Sequence, residues 1–165
     1  MKKLSISFAL LILFILVSVP IKGQCDLKDM KIKVLGRIKE DLANQDTSFF
    51  LFDLYSGVDE KKWKGDRYND TISFSFQDGC YLRFYLLTDN VSKDMARLSL
   101  IKNTGDLKKL PIVILKEIKS TGISGKIISF DFYTKEVEQF YLVLNQNNNS
   151  SGCSFAAATQ YKLKK

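Results

Sequence analysis

Apolar residues follow three different rhythms along this chain, and each predicts a different kind of element. From Ile6 to Val17 they form an almost unbroken run. From Asp26 to about Asn44 they recur at spacings of three and four. Leu27, Met30, Val34, Ile38 and Leu42 share one side, while Lys28, Lys31, Arg37, Lys39, Glu40 and Asp41 lie mostly elsewhere. That is the period of an amphipathic helix. A membrane-surface helix or one seated in a partner's groove carries the same signature, but packing on its own domain is the commoner outcome. The stripe is expected to cover one sheet or plug an open end.

Beyond the helix the period drops to two, the period of a strand with one buried face. Ile72, Phe74 and Phe76 alternate with Thr71, Ser73 and Ser75. Gln77, Asp78 and Gly79 then supply turn chemistry before Cys80, Leu82, Phe84 and Leu86 alternate again, which predicts a hairpin. Ala96, Leu98 and Leu100 form a further strand, closed by the turn formers Asn103 to Asp106. Ile112 to Ile118 is a β-branched stretch between Pro111 and the Gly122 to Gly125 turn. Ile128, Phe130 and Phe132 face one way; Phe140, Leu142 and Leu144 repeat the scheme; the last strand, about Ser154 to Leu163, alternates Phe155, Ala157, Thr159 and Tyr161.

With the apolar run Phe49 to Leu54, about eight strands result, and turns of this kind separate antiparallel strands. The fold class is mainly β: an antiparallel two-sheet, jelly-roll-like sandwich with one N-terminal amphipathic helix. Parallel strands would need helices between them, and none is visible. Inward aromatics such as Phe74, Phe84, Phe130 and Phe140 are core, since each large apolar side chain is worth roughly 1.5–3 kcal/mol on full burial.

The first rhythm reads as an address. Lys2 and Lys3 precede an apolar run of signal length, and Pro20 and Gly23 lead to a plausible cut before Gln24, so residues 1–23 are expected to be a secretory signal peptide and 24–165 a single domain. This places the protein in the periplasm or outside the cell, with no transmembrane segment once the signal has gone. Cys25 follows closely, yet Lys22, Gly23 and Gln24 make a poor lipidation context. Three of the 25 Lys and Arg leave with the signal, so 22 basic residues face 18 acidic ones, a net +4. The basic residues are scattered, which suits a soluble monomer and gives no stripe for nucleic acid.

Export agrees with the cysteines. Cys25, Cys80 and Cys153 permit one disulfide and leave one thiol over. Cys25 with Cys153 would close nearly the whole domain, whereas Cys80 with Cys153 would staple two strand starts; the first is preferred here. Gly57 to Asn69 is polar and contains Trp63 between Lys62 and Lys64, a combination that offers a carbohydrate or protein contact, against the commoner alternative of a Trp folded over a sheet edge. Asn145 to Gly152 reads as an Asn/Ser-rich hairpin loop facing solvent.

Enzyme chemistry finds little support. The absence of histidine removes His-based triads, Cys–His pairs and the commonest zinc ligand. Ser99 and Lys102 match Ser-x-x-Lys, but on a strand positions three apart point to opposite faces. Asp89, Asn90 and Asp94 lack the Gly and Glu of a calcium loop. Gly122 to Lys126 is too short to cradle a phosphate. Asp131 with Glu136 or Glu138 remains as a carboxylate pair of the glycosidase kind. No cofactor or metal is called for.

Several segments together resemble a family: Gly79 to Leu86, Ala96 to Leu100, Ile128 to Phe132, Phe140 to Leu144, and Gly152-Cys153-Ser154-Phe155-Ala156. They look like uncharacterised secreted proteins of the Bacteroidetes, with an N-terminal helix and a jelly-roll-like sandwich similar to bacterial pre-peptidase C-terminal domains. Glu138-Gln139-Phe140-Tyr141 departs from that group's Gly-Tyr-Tyr. The resemblance implies a non-catalytic accessory domain and transfers no catalytic residue. The expected function is an exported binding or structural module for an envelope, glycan or protein partner; a small carboxylate-dependent hydrolase of extracellular polysaccharide, or an inhibitor of a secreted enzyme, are the alternatives.

Overall fold

Asp26 starts the described chain by capping a helix: its carboxylate accepts a 3.0 Å hydrogen bond from the Asp29 backbone N–H, satisfying one of the donors a helix start leaves open. The computed structural model describes residues 26–45, 47–57, 67–75, 81–102, 113–133, 139–147 and 152–162. Helix α1 (Leu27–Asp41) is followed by β1 (Thr47–Gly57), β2 (Arg67–Ser75), β3 (Tyr81–Asp89), β4 (Ala96–Lys102), β5 (Ile114–Lys119), β6 (Ile127–Tyr133), β7 (Gln139–Asn147) and β8 (Cys153–Lys162). Residues 1–23, expected to be a signal peptide, lie outside the described part. Among the described residues no helix is long and apolar enough to cross a membrane.

The strands form two four-stranded antiparallel sheets. Sheet A has the order β1-β8-β3-β6 and sheet B the order β2-β7-β4-β5. This is the jelly-roll arrangement, in which the chain passes between sheets at almost every connection. Two expectations are corrected by it. Ile72–Phe74 and Leu82–Leu86 do not form a hairpin, because β2 pairs with β7 in sheet B while β3 pairs with β6 and β8 in sheet A. Asn145 to Gly152 is likewise no hairpin loop: it carries the chain from β7 in sheet B to β8 in sheet A. Alternation identified the strands, but adjacency along the chain misassigned their partners.

Between the sheets lies one apolar core. Leu82, Phe84 and Leu86 of β3 meet Leu98 and Leu100 of β4, Phe130 of β6, Phe140, Leu142 and Leu144 of β7, and Ala156 and Ala158 of β8. Ring contacts knit it, Phe84 to Phe130 at 4.8 Å and Phe132 to Phe140 at 5.5 Å between centroids. On β8, however, the residues read as the apolar series, Phe155, Ala157 and Tyr161, lie on the other side of sheet A. There Met30 and Val34 of α1 pack on Tyr85, Leu87, Cys153, Phe155 and Ala157. The helix is a third layer, covering one sheet as its stripe predicted.

The β7–β8 crossover is not purely solvent-facing either. Gln146 is only 2% exposed. Its amide donates to the Gly152 carbonyl at 2.5 Å, and its oxygen accepts from the Ser154 hydroxyl at 2.6 Å. Gly152 itself presses on the end of β3, where a methyl group would overlap the Asp89 carbonyl and the Asn90 backbone. At the β4–β5 end, the buried Ser120 hydroxyl donates to the Ser92 carbonyl at 2.7 Å and accepts from the Ala96 N–H at 3.1 Å.

Candidate functional site

Alternate residues of β3 point away from the core, and the antiparallel register extends each of them into a row across sheet A. Tyr81 stands opposite Tyr133 on β6 and Tyr161 on β8. Two residues on, Arg83 stands opposite Asp131 and Thr159; Tyr85 follows opposite Ser129 and Ala157. Helix α1 covers the Tyr85 and Leu87 rows and ends at Asp41, beside Arg83. The Arg83 and Tyr81 rows therefore lie at the margin of the helix and beyond it.

Arg83 is held in place by its neighbours. Its Nε and Nη2 donate to the two oxygens of Asp131 at 2.6 and 2.8 Å, a bidentate pair, and its Nη1 lies 3.6 Å from the Asp41 carboxylate. Asp41 is also paired with Arg37 at 3.0 Å. The Tyr161 hydroxyl donates to Asp131 Oδ1 at 3.2 Å, and the Arg83 guanidinium sits 5.5 Å from the Tyr161 ring centre. The hydrogen bonds to Asp131 strengthen the charged form of Arg83 and raise its pKa. Burial, then the Asp131 charge, raises that of Tyr161.

The tyrosines form a row of their own. Tyr81 lies 4.7 Å from Tyr133 and 5.5 Å from Tyr161 between ring centroids, close to the spacing between strands. Tyr161 is buried, whereas Tyr133, on the edge strand β6, is 41% exposed. Next to this row, under the end of the helix, Tyr85 is fully buried and its hydroxyl has no hydrogen-bond partner among the described residues. Burial, reinforced by the Asp41 charge, pushes its pKa up to about 12.

The residues singled out in the sequence are distributed differently. Trp63, Lys62 and Lys64 lie outside the described residues, as do Cys25, Cys80, Glu136 and Glu138. Cys153 is 3% exposed at the start of β8 and is disulfide-bonded. Asp131, read as half of a carboxylate pair with Glu136 or Glu138, is the partner of Arg83. Ser99 bonds Glu117 across β4 and β5 at 3.1 Å. The Ser124 hydroxyl donates to the Asp89 carboxylate, tying the β5–β6 turn to the end of β3. Among the described residues no three His, Cys, Asp or Glu side chains converge as a metal site.

Arg83, Tyr81 and Tyr133 occupy the second face of strands whose apolar face the alternation marks, and Tyr161 reads in the sequence as one of the apolar series of β8. Their signal was available: an aromatic or a charge at the polar beat of a strand, repeated at the ends of three strands that pair.

No family model matches the chain, and no curated protein matches it. Among solved structures it is similar to a subunit of Bacillus endospore appendages, described as a novel family of disulfide-linked pili, with 13% identity and a TM-score of 0.31 over 62% of this chain and 93% of that one. It is also similar to the Yersinia pseudotuberculosis-derived mitogen, with 15% identity and a TM-score of 0.25 over 59% of this chain and 87% of that one. Likenesses at these scores carry no argument about activity.

Proposed function

We propose that this chain is an exported, non-catalytic binding module of the cell envelope or extracellular space, one of the secreted jelly-roll sandwiches it resembles, acting as a monomer. Its recognition surface is the part of sheet A that the helix leaves open. The observation that carries this reading is the locked Arg83–Asp131–Tyr161 network beside the exposed ring of Tyr133. Polar side chains fixed by their neighbours lose little freedom when a partner arrives, so such a patch binds at low entropic cost.

The same network speaks against hydrolysis at this place. A glycosidase needs one carboxyl that delivers a proton and a second that attacks or activates water. Asp131 is a bidentate acceptor from a guanidinium, and Asp41 is shared by two arginines. Both are committed to positioning cations.

The test is capture from envelope and culture fractions by the full chain, expressed with its leader, beside Tyr133→Ala and Trp63→Ala. Capture lost with Tyr133→Ala and kept with Trp63→Ala is the expected result. The reverse pattern would move recognition to the Lys62–Lys64 segment, and no capture from any fraction would count against a binding module altogether.

A further inference from the structure

We infer that the open part of sheet A binds a neutral saccharide, with Tyr133 as the stacking ring and Arg83 and Asp131 as the hydroxyl-reading pair; this rests on the binding-module reading above. Three features of the patch select that chemistry.

The first is the tyrosine row. Rings that follow one another at strand spacing, tilted by 33° and 26°, use their faces on each other, so the row has a free ring face only where it ends. It ends at Tyr133, because β6 is the edge of sheet A. A single ring at the end of a rigid stack suits the C–H face of one pyranose.

The second is the hydrogen-bond inventory beside that ring. A carboxylate has about four acceptor sites. Asp131 uses two on Oδ1, for Arg83 Nε and the Tyr161 hydroxyl, and one on Oδ2. Arg83 has five N–H groups, of which two are bonded to Asp131. With Nη1 facing the Asp41 carboxylate, one acceptor site of Asp131 and the remaining N–H of Arg83 Nη2 have no hydrogen bond among the described residues and sit side by side, on residues that are partly exposed. Adjacent hydroxyls of a sugar offer the matching donor and acceptor.

The third is charge. Arg83 is matched by Asp131 and Asp41. An anionic ligand would meet two carboxylates, and a cation would have to displace a bidentate guanidinium. A neutral, hydroxyl-rich ligand asks for neither. A protein partner would need roughly 800 Å² from this side, whereas one exposed tyrosine and a half-buried ion pair make a footprint of sugar size.

The experiment is nuclear magnetic resonance titration of the full chain, expressed with its leader, using the hexasaccharides of glucose (β-1,3, β-1,4 and α-1,4 linked), mannose and N-acetylglucosamine, with polygalacturonate as the anionic control. At least one neutral hexasaccharide is expected to shift amides at the Tyr81, Tyr133 and Tyr161 ends of β3, β6 and β8. Tyr133→Ala and Arg83→Met should each weaken that binding by about tenfold or more, as expected for a central contact. Arg83→Lys, which keeps the charge and loses the fork, should weaken it too. No response to any neutral sugar, a response to polygalacturonate alone, or binding that survives both substitutions overturns the inference. An envelope protein that shifts the same amides while no sugar does would overturn the saccharide and leave the binding module standing.

A second inference rests on separate observations. We infer that Cys153 is bonded to Cys25. Cys80 adjoins Tyr81, which pairs with Tyr161, while Cys153 pairs with Asp89 at the other end of the same two strands. Eight residues of strand span about 26 Å, and a disulfide needs Cα atoms within about 7 Å. Cys25, in contrast, adjoins the Asp26 cap of a helix whose Met30 packs in one cluster with Cys153. Peptide mapping without reduction should give a Cys25–Cys153 linked pair and an alkylatable Cys80; a Cys80–Cys153 pair, or linkage between chains through Cys153, would overturn it.

Discussion

The outer face of sheet A has two parts built on the same strands but held by different forces. Under α1, the Tyr85 and Leu87 rows meet Met30 and Val34, and the contact is mostly apolar. At and past the end of the helix, the Arg83 and Tyr81 rows are held by a bidentate ion pair, a tyrosine hydroxyl and stacked rings. The apolar part stabilises by the area it removes from water. The polar part gains little net stability, because its groups would be hydrogen-bonded to water in any case. The difference teaches where to look for function: groups kept in a fixed arrangement at little gain in stability are the ones a ligand can use.

The largest expected effect tests how tightly the covered end is closed. Gly152 leads into Cys153 beneath the helix, and its Cα faces the Asp89 and Asn90 backbone with no room for a side chain. Backbone cannot move aside as a flexible side chain can. Gly152→Ala should therefore destabilise by about 3 kcal/mol, read as a lowered denaturant midpoint; an unchanged midpoint would show that this end is loosely packed and that the contrast is overstated.

Next is the helix contact itself. Met30→Ala removes a side chain that is 4% exposed between α1 and sheet A. A loss of about 2 kcal/mol is expected, the lower end for a buried Met because the helix can settle towards the sheet. The same substitution should leave saccharide binding intact, since Met30 lies on the Leu87 side of the helix. Loss of binding together with stability would mean that the two parts are coupled through the helix.

Much of this architecture is legible in the chain, and the illegible remainder has a physical cause. The period-two runs marked the strands, and the spacing of Met30, Val34 and Ile38 marked a helix that covers one sheet. Strand pairing was not legible: Phe74 and Leu82 are eight residues apart yet belong to different sheets, because a short link can cross between sheets as readily as it can reverse within one. Gln146 was hidden by its surroundings, since its Asn-rich neighbours read as loop although its amide is bonded to Gly152 and Ser154 within the fold. The proposed binding surface was the least legible part. Arg83, Asp131 and Tyr161 are far apart in sequence, and only the register of β3 with β6 and β8 brings them together.

At the boundary between the two parts stands Tyr85, and it offers a pH readout. The folded chain holds the phenol proton more tightly than the unfolded chain, whose tyrosines titrate near 10, because burial disfavours the phenolate. Its contribution is intact below pH 10 and is lost as the pH climbs towards about 12. Tyr85→Phe should flatten that decline, by roughly 2 kcal/mol at most, and should cost little near neutrality because the buried hydroxyl it removes has no hydrogen-bond partner of good geometry among the described residues. Stability curves of both proteins from pH 8 to 12 check this; a parallel decline would assign the alkaline loss to other groups.

The smallest expected effect is the most informative about function. Tyr133→Ala removes one exposed ring from the end of a row in which Tyr81 and Tyr161 still stack on each other. Its stability should change by less than about 1 kcal/mol, the worth of one aromatic contact at a surface. Thermal melts of parent and variant should nearly coincide while saccharide binding falls. A variant that melts early would show that the tyrosine row holds the sheet edge together, and the open part would then be structural in the same sense as the covered one.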